Sequence, residues 1–172
     1  LWSQAWGYFK AMPVPGDYDA DGTSDLAVYD ETTGHWYIWS KATQSVLLWA
    51  GAWGFVGATP VPGDYDGDGV CDLAVYDGTT GNWFVRRLDG GVLLWAQNWG
   101  YPGAVAVPGD YNGDGIYDLA VYDVVTGDWY IRTVATVGGA VLAWKLNWGY
   151  SGAVAVPGDY DGDGIYDLAV YD

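Results

Sequence analysis

One sequence motif, repeated four times in 172 residues, constrains the fold of this chain more than any other feature. The motif reads VPGDYDADGTSDLAVYD at residues 14–30, and close copies begin at positions 61, 107 and 156. The first aspartates of successive copies lie 47, 46 and 49 residues apart. A fixed period of this length indicates repeated supersecondary units that bury their apolar faces against one another. We therefore interpret residues 1–172 as a single repeat array with units 1–47, 48–93 and 94–142 and a partial unit 143–172.

Each full unit predicts four short β-strands. In the second unit these are residues 59–62, 73–76, 83–88 and 92–96, and turn-forming residues at 78–81 separate the middle two. No segment combines a helical period with capping residues, so we expect almost no helix. A repeated four-stranded unit of about 40 to 50 residues is typical of a β-propeller blade.

The sequence thus predicts an all-β fold of propeller blades, each with four antiparallel strands. If the strands of a blade are A to D, the chain runs D, ABCD, ABCD, ABCD, AB, which is 15 strands or about 3.75 blades. Propellers typically have four to eight blades. We therefore expect another chain or a longer array to complete the ring, because open strand edges favour self-association into a ring or fibre. The chain begins at Leu1 with no basic or signal-like segment, which suggests a processed product or part of a longer protein.

Tryptophan follows the same period. Eleven of the 12 tryptophans occupy repeat positions, and Trp39 is the exception. We expect the repeated residues to pack between neighbouring blades. They are the pairs Trp2/Trp6, Trp49/Trp53, Trp95/Trp99 and Trp144/Trp148, and the turn residues Trp36, Trp83 and Trp129.

The acidic loop of each copy has the spacing D-x-D-x-D-G-x-x-D. Oxygen ligands at positions 1, 3, 5 and 9, a backbone carbonyl at position 7 and a glycine at position 6 suit calcium better than magnesium. We expect about four Ca²⁺ ions, one in each loop. The predicted ligands are Asp17, Asp19, Asp21, Thr23 and Asp25; Asp64, Asp66, Asp68, Val70 and Asp72; Asp110, Asn112, Asp114, Ile116 and Asp118; and Asp159, Asp161, Asp163, Ile165 and Asp167.

These loops differ from an EF-hand. Position 12, where an EF-hand has its bidentate glutamate, is a valine within the apolar segment that follows each loop, so strands rather than helices flank the site. The alternative is that the loops are only tight, solvated turns. A two-residue turn needs a single Asp-Gly pair, whereas these loops keep four oxygen-bearing side chains at fixed spacing.

The GDYDGDG segment followed by DLAVYD resembles the FG-GAP (VCBS-like) repeat of integrin-alpha-type β-propellers and bacterial surface proteins. The resemblance covers almost the whole chain and implies a calcium-binding loop between two strands of a blade. Two departures are visible: the FG of the name is PG here, and Asn112 replaces an acid in the third loop.

Composition excludes several classes of protein. The formal charge of −16 argues against nucleic acid and anionic membranes as partners. The uncharged segment 42–63 contains glycines and prolines and recurs in the repeat, so we do not interpret it as membrane-spanning. A lone Cys71 and a lone His35 argue against a disulfide scaffold or histidine-based catalysis. Fifteen of the 22 acids belong to the loops, and four Ca²⁺ ions would reduce the charge to about −8.

From these observations we expect a non-enzymatic, calcium-binding structural or adhesion module at the cell surface or outside the cell. Millimolar extracellular calcium would saturate even weak loops. The alternative is a carbohydrate-binding propeller that uses exposed Trp and Tyr side chains, with Trp39 and the loop tyrosines Tyr18, Tyr65, Tyr111 and Tyr160 as candidates. Glycans, surface proteins and a second copy of the chain are the expected partners. We expect the basic pair Arg86 and Arg87 to lie at the surface.

Overall fold

The computed structural model describes residues 4–134 and 139–172, which form strands, turns and bends without a helix. Within these ranges, 14 strands make three four-stranded sheets and one two-stranded sheet. Every paired strand is antiparallel. The all-β fold with blade-like sheets is confirmed. In the described part of the chain, no helix is long and apolar enough to cross a membrane.

Each sheet is a meander in which strands adjacent in sequence are paired. The first contains β1 (Ala11–Pro13), β2 (Leu26–Asp30), β3 (His35–Ser40) and β4 (Ser45–Ala52). The second contains β5 (Thr59–Pro60), β6 (Leu73–Asp77), β7 (Asn82–Arg86) and β8 (Val92–Asn98). The third contains β9 (Val105–Ala106), β10 (Leu119–Tyr122), β11 (Asp128–Arg132) and β12 (Val141–Asn147). The last contains β13 (Val154–Ala155) and β14 (Val170–Tyr171).

These strands correspond to 14 of the 15 predicted. The predicted first strand, with Trp2, falls largely on residues 1–3, which lie outside the described residues, and residues 4–8 form no strand. The third strand of the second sheet ends at Arg86, so its predicted extent to residue 88 was wrong. There the chain turns: Arg87 N–H donates to Gly91 O at 2.8 Å, and Gly90 N–H donates to Arg87 O at 3.1 Å.

The LAVY segment after each of the first three acidic loops forms the buried centre of its blade. In β6, Leu73 and Val75 pack into a cluster with the first sheet, whereas Ala74 and Tyr76 pack into a cluster with the third. Successive side chains of a strand point to opposite faces, so the blades stack face to face. This explains why the segment is apolar throughout rather than alternating with polar residues.

The turn tryptophans Trp36, Trp83 and Trp129 are fully buried. Trp83 Nε1 donates to Trp99 O at 2.7 Å and thereby ties the middle of its blade to the segment that leaves it. The preceding Gly81 has a φ of 76°, and a Cβ there would lie 2.3 Å from the carbonyl carbon of Gly100. The turn therefore needs glycine both for its dihedral angle and for this close approach.

The tryptophan pairs divide into two environments. The second member crosses to the next blade: Trp53 Nε1 donates to Phe84 O at 3.3 Å, and Trp99 Nε1 donates to Tyr130 O at 3.1 Å. The first members, Trp49, Trp95 and Trp144, expose 69%, 70% and 65% of their surface. These three lie on the outermost strand of each sheet, so they are not buried between blades, but each ring contacts the second tryptophan of the preceding pair. The ring contacts are Trp6 with Trp49, Trp53 with Trp95, and Trp99 with Trp144.

Candidate metal centres

The acidic loops occupy equivalent places in all four sheets. Each joins the first strand of a sheet to the second, and a single β-bridge closes its ends. In the second loop this bridge pairs Gly63 with Asp72. Because Asp64 follows Gly63 directly, the bridge brings positions 1 and 9 of the motif together although seven residues lie between them.

The position-1 aspartate organises the loop. In the third loop, Asp110 Oδ1 accepts hydrogen bonds from Gly113 N–H at 2.7 Å and Asp114 N–H at 3.2 Å. Its Oδ2 accepts from Gly115 N–H at 2.8 Å. The chain thus wraps around one carboxylate, which local Asp-to-backbone bonds favour over regular secondary structure.

Two residues of each loop adopt left-handed backbone angles. The position-6 glycines were expected to make a sharp turn, and Gly69 has a φ of 83°. Position 4 is also left-handed, at 79° in Gly67 and 59° in Ala20. Sequence reasoning missed this second position, although glycine occurs there in three of the four loops.

Three loops bring acids from positions 1, 3 and 9 within 4.8 Å of one another. These clusters are Asp17/Asp19/Asp25, Asp64/Asp66/Asp72 and Asp159/Asp161/Asp167. In the third loop Asn112 occupies position 3, so only two of these three positions there carry a carboxylate. Clusters of this kind can hold a cation through hard oxygen donors.

Positions 5 and 7 are arranged differently from positions 1, 3 and 9. Asp68 Oδ1 accepts a hydrogen bond from Val70 N–H at 2.9 Å, and Asp114 Oδ1 accepts from Ile116 N–H at the same distance. Asp21 and Asp163 bond the position-7 residues Thr23 and Ile165 in the same way. The position-5 carboxylates are therefore not part of the three clusters. The position-7 residue contacts the loop through its backbone N–H group, which donates to the position-5 carboxylate.

The position-9 aspartates of the first three loops are buried carboxylates. Asp72 Oδ2 accepts from Tyr65 N–H at 2.9 Å, and Asp118 Oδ2 accepts from Tyr111 N–H at 3.0 Å. Their Oδ1 atoms are buried and have no hydrogen-bond partner, as is the Oδ1 of Asp19. A buried anionic oxygen without a partner carries a large desolvation penalty, which a bound divalent cation would offset.

Electrostatics in the loops follow from this burial. Burial, together with the negative charges of neighbouring loop acids, raises the pKa of Asp72 to about 7 and that of Asp118 to about 7. In the first loop Asp25 Oδ1 accepts from Lys41 N–H at 3.0 Å, and burial still raises its pKa. The loops therefore offer hard, anionic oxygen donors, some of which have no hydrogen-bond partner. Such donors fit a hard cation such as calcium and do not fit a soft or redox-active metal.

One arginine side chain forms an ion pair with the second loop. Arg87 Nε lies 2.6 Å from Asp66 Oδ2 in an ion pair on the second loop. Arg86, its neighbour, is half-buried, and its guanidinium carbon lies 5.5 Å from the ring centroid of Trp53. The expected surface position therefore fits Arg87 better than Arg86.

The remaining sequence candidates are mostly buried. Trp39, proposed for sugar contact, is 9% exposed, and Tyr18 and Tyr65 are 1% exposed. The tyrosine hydroxyls point into the blade: Tyr65 OH donates to Val61 O at 2.7 Å. These three residues therefore cannot stack on a sugar, whereas Tyr160 is exposed. Burial raises the pKa of Cys71 to about 12, which disfavours the nucleophilic thiolate.

Together these features define a propeller-type repeat protein with an acidic loop in every blade-like sheet. Residues 17–75, which contain the first two loops, match the family model of the FG-GAP-like repeat. The resemblance inferred from the motif is thus confirmed over this segment. We find no significant match to the chain among curated proteins or solved structures.

Proposed function

We propose that the chain is a calcium-binding structural module whose blades are locked by ions in their acidic loops. The buried, unpartnered Oδ1 atoms of Asp72 and Asp118 support this most directly. Each lies in a loop whose position-1 carboxylate is already held in place by backbone N–H groups. A calcium ion would supply the charge that these buried oxygens lack.

Calcium titration by calorimetry, paired with thermal unfolding in excess chelator, tests this proposal. We expect binding of several ions and a melting temperature that falls substantially on chelation, because a ligand that binds only the folded state stabilises it by mass action. Asp72→Asn should remove one site, whereas Glu31→Gln, at an exposed turn position outside the loops, should leave binding unchanged. An unchanged melt in chelator, with no ion bound on titration, contradicts the proposal.

We further propose that the module is non-enzymatic, acts outside the cell or at its surface, and serves adhesion. FG-GAP-like repeats are typically extracellular and structural or adhesive, which supports this assignment. Binding of the labelled protein to intact cells, in calcium and in chelator, tests it. Equal binding in both conditions would show that adhesion does not depend on calcium in the acidic loops.

Self-association is the third part of the proposal. In the described residues β14 pairs only with β13, and Tyr171 on it is 56% exposed. Trp6, Trp53 and Trp99 donate their indole N–H to a third-strand carbonyl, whereas Trp148 donates to Leu168 O and remains 58% exposed. An exposed strand edge beside apolar side chains favours pairing with a second copy. The solution mass by light scattering should exceed that of one chain, and a persistent monomer would exclude this assembly.

A further inference from the structure

The interface between the second and third blades contains a cleft that combines aromatic rings with two basic side chains. Its volume is about 450 Å³, within the range of small-molecule sites. We call it the basic cleft, and the lining residues that matter are Trp99, Tyr101, Tyr130, Arg132, Trp144 and Lys145.

The equivalent clefts at the other blades share the aromatic frame. One is lined by Trp6, Tyr8, Tyr37 and Trp49 among others, and the next by Trp53, Phe55, Phe84 and Trp95. Beside the latter, Arg86 stacks on Trp53 as Arg132 stacks on Trp99, with its guanidinium carbon 5.5 Å from the ring centroid. The repeat therefore supplies the aromatic frame, the second and third blades each add an arginine, and the lysine is specific to the third.

That charge is unusual in a chain with only 6 basic residues and a formal charge of −16. The Arg132 guanidinium carbon lies 5.3 Å from the Trp99 ring centroid, which fixes the side chain against the cleft wall. Its Nε is buried and has no hydrogen-bond partner among the described residues. Lys145, with a φ of 54°, stands where the other blades have Ala50 and Ala96, with φ of 54° and 53°. The cleft therefore combines an unpartnered guanidinium N–H of Arg132 with the ammonium group of the exposed Lys145.

Trp144 provides a flat apolar surface next to these donors. Its ring is 65% exposed and makes an edge contact with Tyr130, with centroids 5.2 Å apart. An exposed indole face suits the C–H face of a pyranose ring, and a cation beside it suits a carboxylate on the same sugar. An aliphatic or neutral ligand would use the rings but leave both cations unpaired.

We propose that the basic cleft binds a carboxylate-bearing pyranose, a uronic acid unit of a surface glycan. The sugar ring stacks on Trp144, and its carboxylate pairs with Lys145 and Arg132. This inference rests on the proposed adhesive function and names the ligand class for it. The neighbouring clefts, which lack the lysine, have a weaker preference for an acidic sugar.

The test compares a glucuronic acid-terminated oligosaccharide with its glucose-terminated counterpart by calorimetry in saturating calcium. We expect the acidic sugar to bind about tenfold more tightly, the effect of one charge-assisted contact. Lys145→Ala, which recreates the residue of the other blades, should remove most of this preference. Trp144→Ala should abolish binding of both sugars, whereas Trp95→Ala in the neighbouring cleft should not affect it.

A further variant tests whether the site can be created in the neighbouring cleft. Ala96→Lys places a cation in the neighbouring cleft at a position with the same backbone angle, and we expect it to create a second, weaker acidic-sugar site. Equal affinity for the two sugars, or for a polyglutamate peptide and the acidic sugar, would overturn the proposal. Calcium titration of the same samples distinguishes failure of this proposal from failure of the proposed calcium-binding function, because no cleft residue belongs to an acidic loop. Sugar binding can be absent while calcium binding persists, and calcium binding can be absent while sugar binding persists.

Discussion

The backbone N–H of Tyr117 donates a 2.7 Å hydrogen bond to the carbonyl oxygen of Asp64, and this bond joins two consecutive acidic loops. Tyr117 is position 8 of the third loop, and Asp64 is position 1 of the second. The same bond joins Cys71 to Asp17 and Tyr166 to Asp110, each at 2.7 Å. The four loops therefore form one hydrogen-bonded chain across the blades rather than four independent turns.

Side chains strengthen this link. A Cβ on Gly67 would lie 3.0 Å from Ile116 Cγ1, so the second and third loops are in direct contact. Tyr117 and Tyr166 share a hydrogen bond between their hydroxyls at 2.8 Å, although these residues belong to different repeats. An ion that orders one loop thus also orders the backbone carbonyl and side chains that position the next.

We predict that the loops bind calcium with positive cooperativity. Ordering one loop reduces the conformational entropy that its neighbour must lose, so later ions bind more tightly. A calcium titration followed by tryptophan fluorescence should give a Hill coefficient above 1. Asp118→Asn should remove one site and weaken its neighbours. Tyr117→Phe, which keeps the backbone N–H but removes the hydroxyl bond to Tyr166, should weaken cooperativity without abolishing it. Independent sites in the unmodified chain would refute the coupling.

We predict that the calcium-free protein loses stability as the pH rises from about 4 to about 7. The folded-state pKa of Asp72 and of Asp118 is about 7, above the ordinary value of 3.8, because burial and neighbouring acids disfavour their charged forms. The folded state therefore binds more protons than the unfolded state in this pH window. The stability that these two groups contribute is fully present below the unfolded pKa of 3.8 and is lost as the pH rises through the folded pKa of about 7.

The measurement is urea unfolding in chelator at pH 5 and pH 8. Asp30, Asp77 and Asp123 have lowered pKa values, so their contribution changes only below the ordinary value and does not confuse this window. With Asp72→Asn and Asp118→Asn combined, the difference between the two pH values should shrink. Greater stability at pH 8 than at pH 5 without calcium would contradict the assignment.

Much of this architecture was predictable, because the repeat gives both the period and the pattern within it. The LAVY strands, the acidic loops and the four-stranded meander follow from local residue preferences and turn residues. Burial of individual aromatic residues was not predictable: Trp36 and Trp49 are both repeat positions, yet one is fully buried and the other is 69% exposed. That difference depends on which strand is outermost, and the repeat alone does not determine it.

The candidate sites were also predictable only in part. The spacing of the loop residues predicted one site from positions 1, 3, 5, 7 and 9, and in three loops the structure brings the acids at positions 1, 3 and 9 together. The coupling between loops escaped sequence reasoning, because a backbone N–H such as that of Tyr117 leaves no trace in residue type. The basic cleft was missed for another reason: Arg132 and Lys145 lie on different strands and line the same cleft only because β11 pairs with β12.

We predict that Ala20→Gly stabilises the protein. Ala20 has a φ of 59°, whereas glycine occupies this position in the other three loops. A left-handed conformation costs a residue with a Cβ about 1 to 2 kcal/mol, partly offset by the greater entropy of glycine in the unfolded chain. We expect a net gain of about 0.5 to 1 kcal/mol in the free energy of unfolding. Gly67→Ala, the reverse change in the next loop, should be destabilising, and a loss of stability in Ala20→Gly would contradict this account.

We predict that Trp83→Ala lowers the free energy of unfolding by about 3 to 5 kcal/mol, the usual cost of removing a large buried aromatic side chain. Trp83 is fully buried, packs on Tyr76 with centroids 5.0 Å apart, and donates its indole N–H to Trp99 O. Trp83→Phe should cost less, because it removes the hydrogen bond but keeps most of the apolar volume. Trp95→Ala, at a position 70% exposed, is the matched comparison and should cost about 1 kcal/mol or less. Urea unfolding of the three variants in calcium measures the order, and equal losses for Trp83→Ala and Trp95→Ala would show that burial within the blade does not determine stability.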